Sequence, residues 1–283
     1  MKTTKELQTI ATQVRRDILR MTTAAKSGHP GGSLGCADWM TAMQFNIMQH
    51  NPDTFTMEGK DSDMLFVSQG HITPVIYSVM ARRGYFPVSE LATFRKFGTR
   101  LQGHPSTEHH LPGIRMASGS LGQGMSVGIG AALGKKMTGD NTLVYTLHGD
   151  GELQEGQIWE AVMFAGAKGV DNLISTIDWN RQQIDGTTMQ VMDLGDLRQK
   201  FEAFGWTVVS INNGNDMQQV LDGMAQAKSL TGKGHPVCVI LKTEMGYGVD
   251  FMQGINKYHG SVLSADDLPK ALAQLPETEL GDF

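Results

Sequence analysis

A Gly149-Asp150-Gly151 turn follows the apolar run 142–147 and precedes a helical pattern. Its glycines permit a tight turn and close approach of backbone N–H groups to an anion. Asp150, between them, offers a hard oxygen donor of the kind that suits Mg²⁺. The segment IDWNRQQIDG closes the next apolar run and puts Asn180 at a neighbouring strand end. The Asn180 side-chain oxygen can serve as a second ligand. The sharp turn after it can present the backbone carbonyl of Gln182 as a third. Mg²⁺ takes few protein ligands and completes its octahedron with phosphate oxygens and water, so this sparse set suits an ion shared with a diphosphate. Ca²⁺ or Mn²⁺ would accept the same oxygens. Taken alone, a Gly-Asp-Gly turn has a plain structural reading as well.

Histidine supplies the second set of reactive groups. His29 lies in SGHPGGSLG, His71 in SQGH and His104 in LQGHP, each in a loop marked by Gly or Pro. His259 lies in YHG, a weaker context. Imidazole titrates near neutral pH, so such side chains can take a proton from a sugar hydroxyl and return one. The other five, His50, His109, His110, His148 and His235, read as ordinary surface or core residues. Gly122, Gly124 and Gly128 do not make a dinucleotide fingerprint, because GQGMSVG lacks the G-x-G-x-x-G spacing and no clear strand precedes it.

These residues need a scaffold that gathers distant loops. Leu7, Ile10, Val14, Ile18 and Met21 form one helical stripe behind a Thr3/Glu6 capping box, with Gly28 and Pro30 as the stop. Further helices are expected over 36–48, 74–83 and 122–137, and a short strand over 64–67. The region 104–119 reads as loop. After residue 140 apolar strands (142–147, 172–177, 206–211, 237–241) alternate with helices (157–168, 197–204, and one capped by Asp216). Continuous apolar strands separated by helices imply an α/β fold, a parallel sheet flanked by helices on both faces. Such sheets bind ligands in loops at the carboxyl ends of their strands, where the Gly149–Gly151 and Asn180 motifs fall.

Length and composition set the bounds. The 283 residues suit one large α/β domain, and no linker divides them, so 1–283 reads as a single diphosphate-binding domain. A net charge of −5 argues against nucleic acid or an anionic membrane as partner. Two distant cysteines, Cys36 and Cys238, make neither a disulfide framework nor a metal cluster, which points to a reducing, cytoplasmic setting. The acid-containing N-terminus does not read as a signal peptide, and no apolar run reaches transmembrane length.

The Gly-Asp-Gly turn followed at a distance by Trp179-Asn180 resembles the motif shared by thiamine-diphosphate enzymes, which usually carry Asn or Asp where Trp179 stands. Together with SGHPGGSLG, SQGH, LQGHP, SGSLGQG and YHG, in this order, it resembles the N-terminal domain of transketolases along most of the chain. The resemblance implies a thiamine-diphosphate-binding fold, thiamine diphosphate with Mg²⁺ as cofactors, and transfer of a two-carbon ketol unit from a ketose to an aldose or their phosphates. By the same resemblance, His29 and His259 face sugar hydroxyls and cofactor, His71 lies near the diphosphate, and His104 holds the two-carbon unit of the donor. Gly119, Ser120 and Leu121 contact the aminopyrimidine end, with Ser120 where many members have Pro. Gly149 and Gly151 cradle the diphosphate, and Asp150, Asn180 and Gln182 hold the metal. Glu155 resembles a glutamate that communicates across the subunit interface.

In that family the glutamate that protonates the aminopyrimidine, its aromatic pocket and most phosphate-binding residues belong to a second domain. Nothing around Glu279 resembles that motif. The resemblance therefore implies a C-terminal transketolase subunit on a separate chain, in an α2β2 assembly. Half of a deoxyxylulose-phosphate-synthase-like enzyme is an alternative that Pro30, directly after His29, disfavours. A non-catalytic subunit keeping the fold, and a piece of a single-chain enzyme, are further alternatives.

Overall fold

The computed structural model describes residues 1–283. Helix α1 (Thr4–Ala25) opens with the expected capping box: Thr3 Oγ1 accepts from Glu6 N while Glu6 accepts from Thr3 N. It buries Leu7, Ile10, Val14, Ile18 and Met21. Left-handed Lys26 ends it, two residues before Gly28. Pro30 does more than stop that helix, because it starts a buried short helix α2 (Pro30–Gly35). Proline suits a first helical turn, where its missing N–H is not needed. A Cβ at Gly31 would stand 2.7 Å from the Tyr258 carbonyl oxygen, so α2 can pack here only with glycine in it.

The single helix expected over 36–48 is α3 (Ala37–Ala42) running into a wider π-type turn, Met43–Ile47. Then follow β1 (Met64–Val67), α4 (Thr73–Arg83), α5 (Gln123–Thr138), β2 (Val144–Gly149), α6 (Gly156–Ala167) and β3 (Leu173–Asp178). A small hairpin, β4 (Gln182–Gln183) with β5 (Gly186–Thr187), and α7 (Thr188–Met192) come next and lie outside the sequence expectation. The chain continues through α8 (Leu197–Ala203), β6 (Thr207–Ile211), α9 (Met217–Ser229), β7 (Val237–Leu241) and α10 (Leu268–Leu272).

The five long strands form one parallel sheet in the order β1-β2-β3-β7-β6. Strands β2, β3 and β7 are buried throughout, because helices cover both faces. Alternate residues feed two cores. Tyr145, Leu147, Val237 and Val239 join α1, α3, α4 and α9 on one face; Val144, Leu173, Ile177 and Ile240 join α5, α6 and α8 on the other. Each fully buried side chain of this size is worth about 1.5–3 kcal/mol. The small residues of α5 let it sit down on the sheet: a Cβ at Gly124 would meet Ser68, and one at Gly128 would meet Thr146 Cγ2, both at 2.4 Å. The loops after β1, β2 and β3 leave the sheet at one carboxyl edge, where parallel sheets place their sites. No helix is long and apolar enough to cross a membrane.

Candidate active site

A cleft of about 380 Å³ opens at that edge. Its polar lining comes from the ends of β1, β2 and β3, from α2, and from the loops carrying His104, Gly119 and His259. Four histidines that are far apart in sequence converge in it. His29 occupies the N-cap of α2, with its carbonyl accepting from Ser33 Oγ at 2.7 Å. His71 sits in the turn after β1, beside Gly70, where a Cβ would fall 2.0 Å from the Ser118 carbonyl oxygen. The neighbour of His104, Gly103, is held by Thr73 Oγ1 and Arg95 Nη2, which donate to its carbonyl at 3.0 and 3.2 Å. His259 closes a short turn, Asn256–His259.

The His29 ring centroid lies 5.0 Å from that of His71, 5.8 Å from His259 and 6.4 Å from His104. His71 and His259 are 5.1 Å apart. Burial, then the neighbouring His259, Arg95 and His104, pushes the His29 pKa down to about 4. Burial and the other three histidines push His71 well below the ordinary value. His104 is lowered by burial and Arg95, and His259 by burial. All four rings are thus neutral at pH 7, and each can both donate and accept. The Nδ1 atoms of His29 and His259 are buried without a partner within the chain.

The opposite wall carries the acids. Burial and the charge of Asp178 raise Asp150 to about 8, against an ordinary 3.8. Its oxygens accept from the backbone N–H of Gly151 and Arg181, and no cationic side chain pairs with it. Asp178, also raised by burial, accepts from Thr243 Oγ1 and from Asn180 Nδ2. Asn180 Oδ1 accepts from Gln182 N at 2.9 Å, and Gln182 Oε1 is buried without a partner. Two adjacent buried carboxylates without a cation are the electrostatic signature of a position that a divalent ion would neutralise. No three His, Cys, Asp or Glu side chains are grouped to hold a metal. The donors present are instead one carboxylate, an amide and backbone oxygens, a hard-oxygen set of the kind Mg²⁺ uses beside phosphate. Close approach is built in as well: a Cβ at Gly151 would be 2.8 Å from Gln183 Cβ.

Of the residues singled out from sequence, His29, His71, His104, His259, Gly119, Leu121, Gly149, Asp150, Gly151, Glu155, Asn180 and Gln182 all line the cleft. Ser120 does not; it is exposed on the loop between Gly119 and Leu121. Glu155 is exposed at the N-cap of α6. Six further residues, Gly32, Gln69, Glu152, Gln154, Gln183 and Ile184, line the cleft and were missed. Their only sequence signal is a place in SGHPGGSLG or adjacency to SQGH, Gly-Asp-Gly and the hairpin after Asn180. His50, bonded to Tyr85 Oη and the Gln44 carbonyl, and His235, bonded to the Gly205 carbonyl, are structural as read.

Comparison with known proteins gives one consistent result. Residues 7–277 match the family described as "Transketolase, thiamine diphosphate binding domain". A 6-deoxy-6-sulfo-D-fructose transketolase subunit from a Clostridium species is 38% identical, over 95% of this chain and 96% of that protein. One subunit of an apulose-4-phosphate transketolase from Phocaeicola vulgatus is 37% identical, over 93% of this chain and 91% of its own length. A Pichia stipitis transketolase solved in complex with sedoheptulose 7-phosphate superposes with a TM-score of 0.89 at 30% identity. That match covers 99% of this chain but 42% of the Pichia chain.

Proposed function

This chain belongs to the transketolase family, and on that premise we propose that it is the thiamine-diphosphate-binding subunit of a ketol-transferring enzyme completed by a second polypeptide. The observation that carries the proposal is the convergence in one cleft of four neutral histidines and Asp150, a buried acid that has no cationic partner and lies against buried Asp178. When bound, thiamine diphosphate supplies the stabilised carbanion chemistry that no side chain offers. The chain's own residues do the rest. Asp150, Asn180 and the Gln182 carbonyl hold Mg²⁺ against the diphosphate, and Gly149 and Gly151 keep the backbone close to it. His29 and His259, through their unpartnered Nδ1 atoms, orient sugar hydroxyls. His104, at the mouth, holds the two-carbon end of the donor. A neutral imidazole here accepts the proton released from a donor hydroxyl as its carbon–carbon bond breaks, and returns it to the acceptor.

The substrates are a ketose and an aldose or their phosphates, and the far end of the donor is read by residues outside this chain. Names among the relatives, sulfofructose and apulose 4-phosphate, support a sugar with an anionic tail. The designation of those relatives as subunits, and the 42% coverage of the Pichia chain, support a separate C-terminal partner in an α2β2 assembly.

The test is a ketol-transfer assay with thiamine diphosphate and Mg²⁺, run on this chain alone and mixed with a C-terminal transketolase subunit. Activity in the mixture alone is expected. Full activity of the isolated chain would overturn the two-subunit reading, and absence of metal-dependent cofactor binding in both would overturn the cofactor reading.

A further inference from the structure

We propose that Glu152 is a positioning residue whose single buried carboxylate fixes the relative placement of the three loops that form the cofactor cradle. The inference rests on the cofactor reading above. Glu152 is 3% exposed and lies at the floor of the cleft, two residues after Asp150. Its Oε1 accepts from Ser68 Oγ and from Gly122 N, the latter at 2.7 Å. Its Oε2 accepts from Gly149 N at 3.0 Å. His148 Nδ1 stands 3.6 Å from Oε1. Ser68 extends the network by accepting from Gly124 N at 2.9 Å.

The donors come from three segments, the turn after β1, the N-cap of α5 and the last residue of β2, and each is a chain neighbour of groups that face the cleft. Ser68 precedes Gln69 and His71 after β1. Gly122 follows Gly119 and Leu121 at the start of α5, and Gly149 precedes Asp150 after β2. Hydrogen-bonded β-ladders fix the strands but not the loops beyond them; here one side chain does that.

The geometry also says why a carboxylate is needed. Three donors converge on two oxygens, and an ionised carboxyl is acceptor-only. Glutamine has the same shape but turns an N–H toward one of those donors, which moves a loop rather than opening a void. Glu152→Gln is therefore a test of placement with volume held constant.

The experiment measures the thiamine diphosphate dissociation constant at saturating Mg²⁺ by calorimetry, on the full chain and on its complex with the partner subunit. E152Q is expected to raise it about 10- to 100-fold, the range seen when a group supporting a metal ligand is lost. Far-UV circular dichroism should stay unchanged, and kcat at saturating cofactor should recover to within about threefold of wild type, because excess cofactor compensates for a misplaced cradle. Ser68→Ala, which removes one of the three donors, should give a smaller rise of the same sign. A dissociation constant for E152Q within twofold of wild type, with only a lower melting temperature, would overturn the inference and leave Glu152 a stabilising residue. If E152Q does not fold, an unchanged constant in S68A overturns it instead. Absence of binding in the wild type would defeat the cofactor reading first, so the two failures are distinguishable.

Discussion

Two of the places where the protein buries carboxylates treat them in opposite ways. Near the chain ends, fully buried Asp17 on α1 receives Arg82 Nε and Nη2 at 2.9 and 2.8 Å, Ser78 Oγ at 2.8 Å and Gln13 Nε2 at 3.1 Å. Beside it, Arg16 grips Asp282 through two nitrogens at 2.9 and 2.8 Å, and Arg82 donates to the Leu280 and Gly281 carbonyls. Both acids in that corner have a guanidinium. At the cleft, Asp150 in its wall and Asp178 behind it are as deeply buried as Asp17, have no cation, and are pushed upward in pKa. The first arrangement closes the structure on itself, whereas the second leaves two buried acids without an ion-pair partner. Burial by itself therefore does not mark a functional acid; burial without an ion-pair partner at the wall of a cleft is the stronger sign.

The sharpest way to break this comparison is to remove one acid from each place. On the proposed assignment, Asp150→Ala should abolish metal-dependent thiamine diphosphate binding, a loss of more than about 100-fold, since it would remove a direct ligand and not a supporting group. The metal-free variant should be as stable as wild type or more so, because an uncompensated buried carboxylate is lost. Calorimetric titration and thermal melts read both. Unchanged cofactor affinity in this variant sinks the metal assignment.

Asp17→Ala should do the reverse. It strands Arg82, whose side chain is 6% exposed, and leaves Ser78 without its acceptor, while Gln13 Nε2 keeps only its bond to Asp282. Breaking a buried pair from one side costs about 3–5 kcal/mol. Urea denaturation should show that loss, while the cofactor dissociation constant at 25 °C stays within about twofold of wild type. A large change in cofactor affinity would mean that the α1 corner and the cleft are coupled, and the division drawn between them would fail.

The same division governs what could be read without coordinates. The sheet was legible, since β1, β3, β6 and β7 came from apolar runs with sharp boundaries, and α1 from one stripe and its cap. The cleft was legible where residue type and local geometry are tied together. Gly149-Asp150-Gly151 needs its glycines for a close turn, and His29, His71 and His104 stand in segments marked by Gly or Pro; that Pro30 begins a helix was not legible. The π-type turn after α3, the hairpin after Asn180 and the buried role of Glu152 were not legible. The last two are decided by contacts from distant segments: Asn256 Nδ2 donates to the Gln183 and Gly186 carbonyls that close the hairpin, and Ser68 and Gly122 orient Glu152. Ser120 shows the converse, a residue in a matching motif that stays out of the cleft wall while its neighbours Gly119 and Leu121 form it.

The smallest expected effect separates the two regions by pH. His29 has its pKa lowered to about 4 by burial and by His259, Arg95 and His104, whereas an unfolded chain titrates it near 6.5. Between those values the unfolded state binds a proton that the native state refuses, so stability falls as pH drops from about 6.5 toward 4 and is unaffected above that window. Asp282 sits on the other side of the scale: its bonds to Arg16 depress its pKa to about 2, so its contribution is present above the ordinary 3.8 and is lost only as pH falls through 2. Acidification should therefore loosen the cleft while the Arg16–Asp282 clasp still holds. His29→Asn removes the titrating ring. The difference between variant and wild-type unfolding free energies should be flat above pH 6.5 and should shift in favour of the variant by about 1–2 kcal/mol near pH 4.5, part of the shift being discounted for the ring's partial solvation. Urea denaturation at pH 7.5, 5.5 and 4.5 measures it. A pH-independent difference would show that His29 titrates normally in the native state, and that the cleft is wetter and less distinct from the rest of the molecule than its geometry requires.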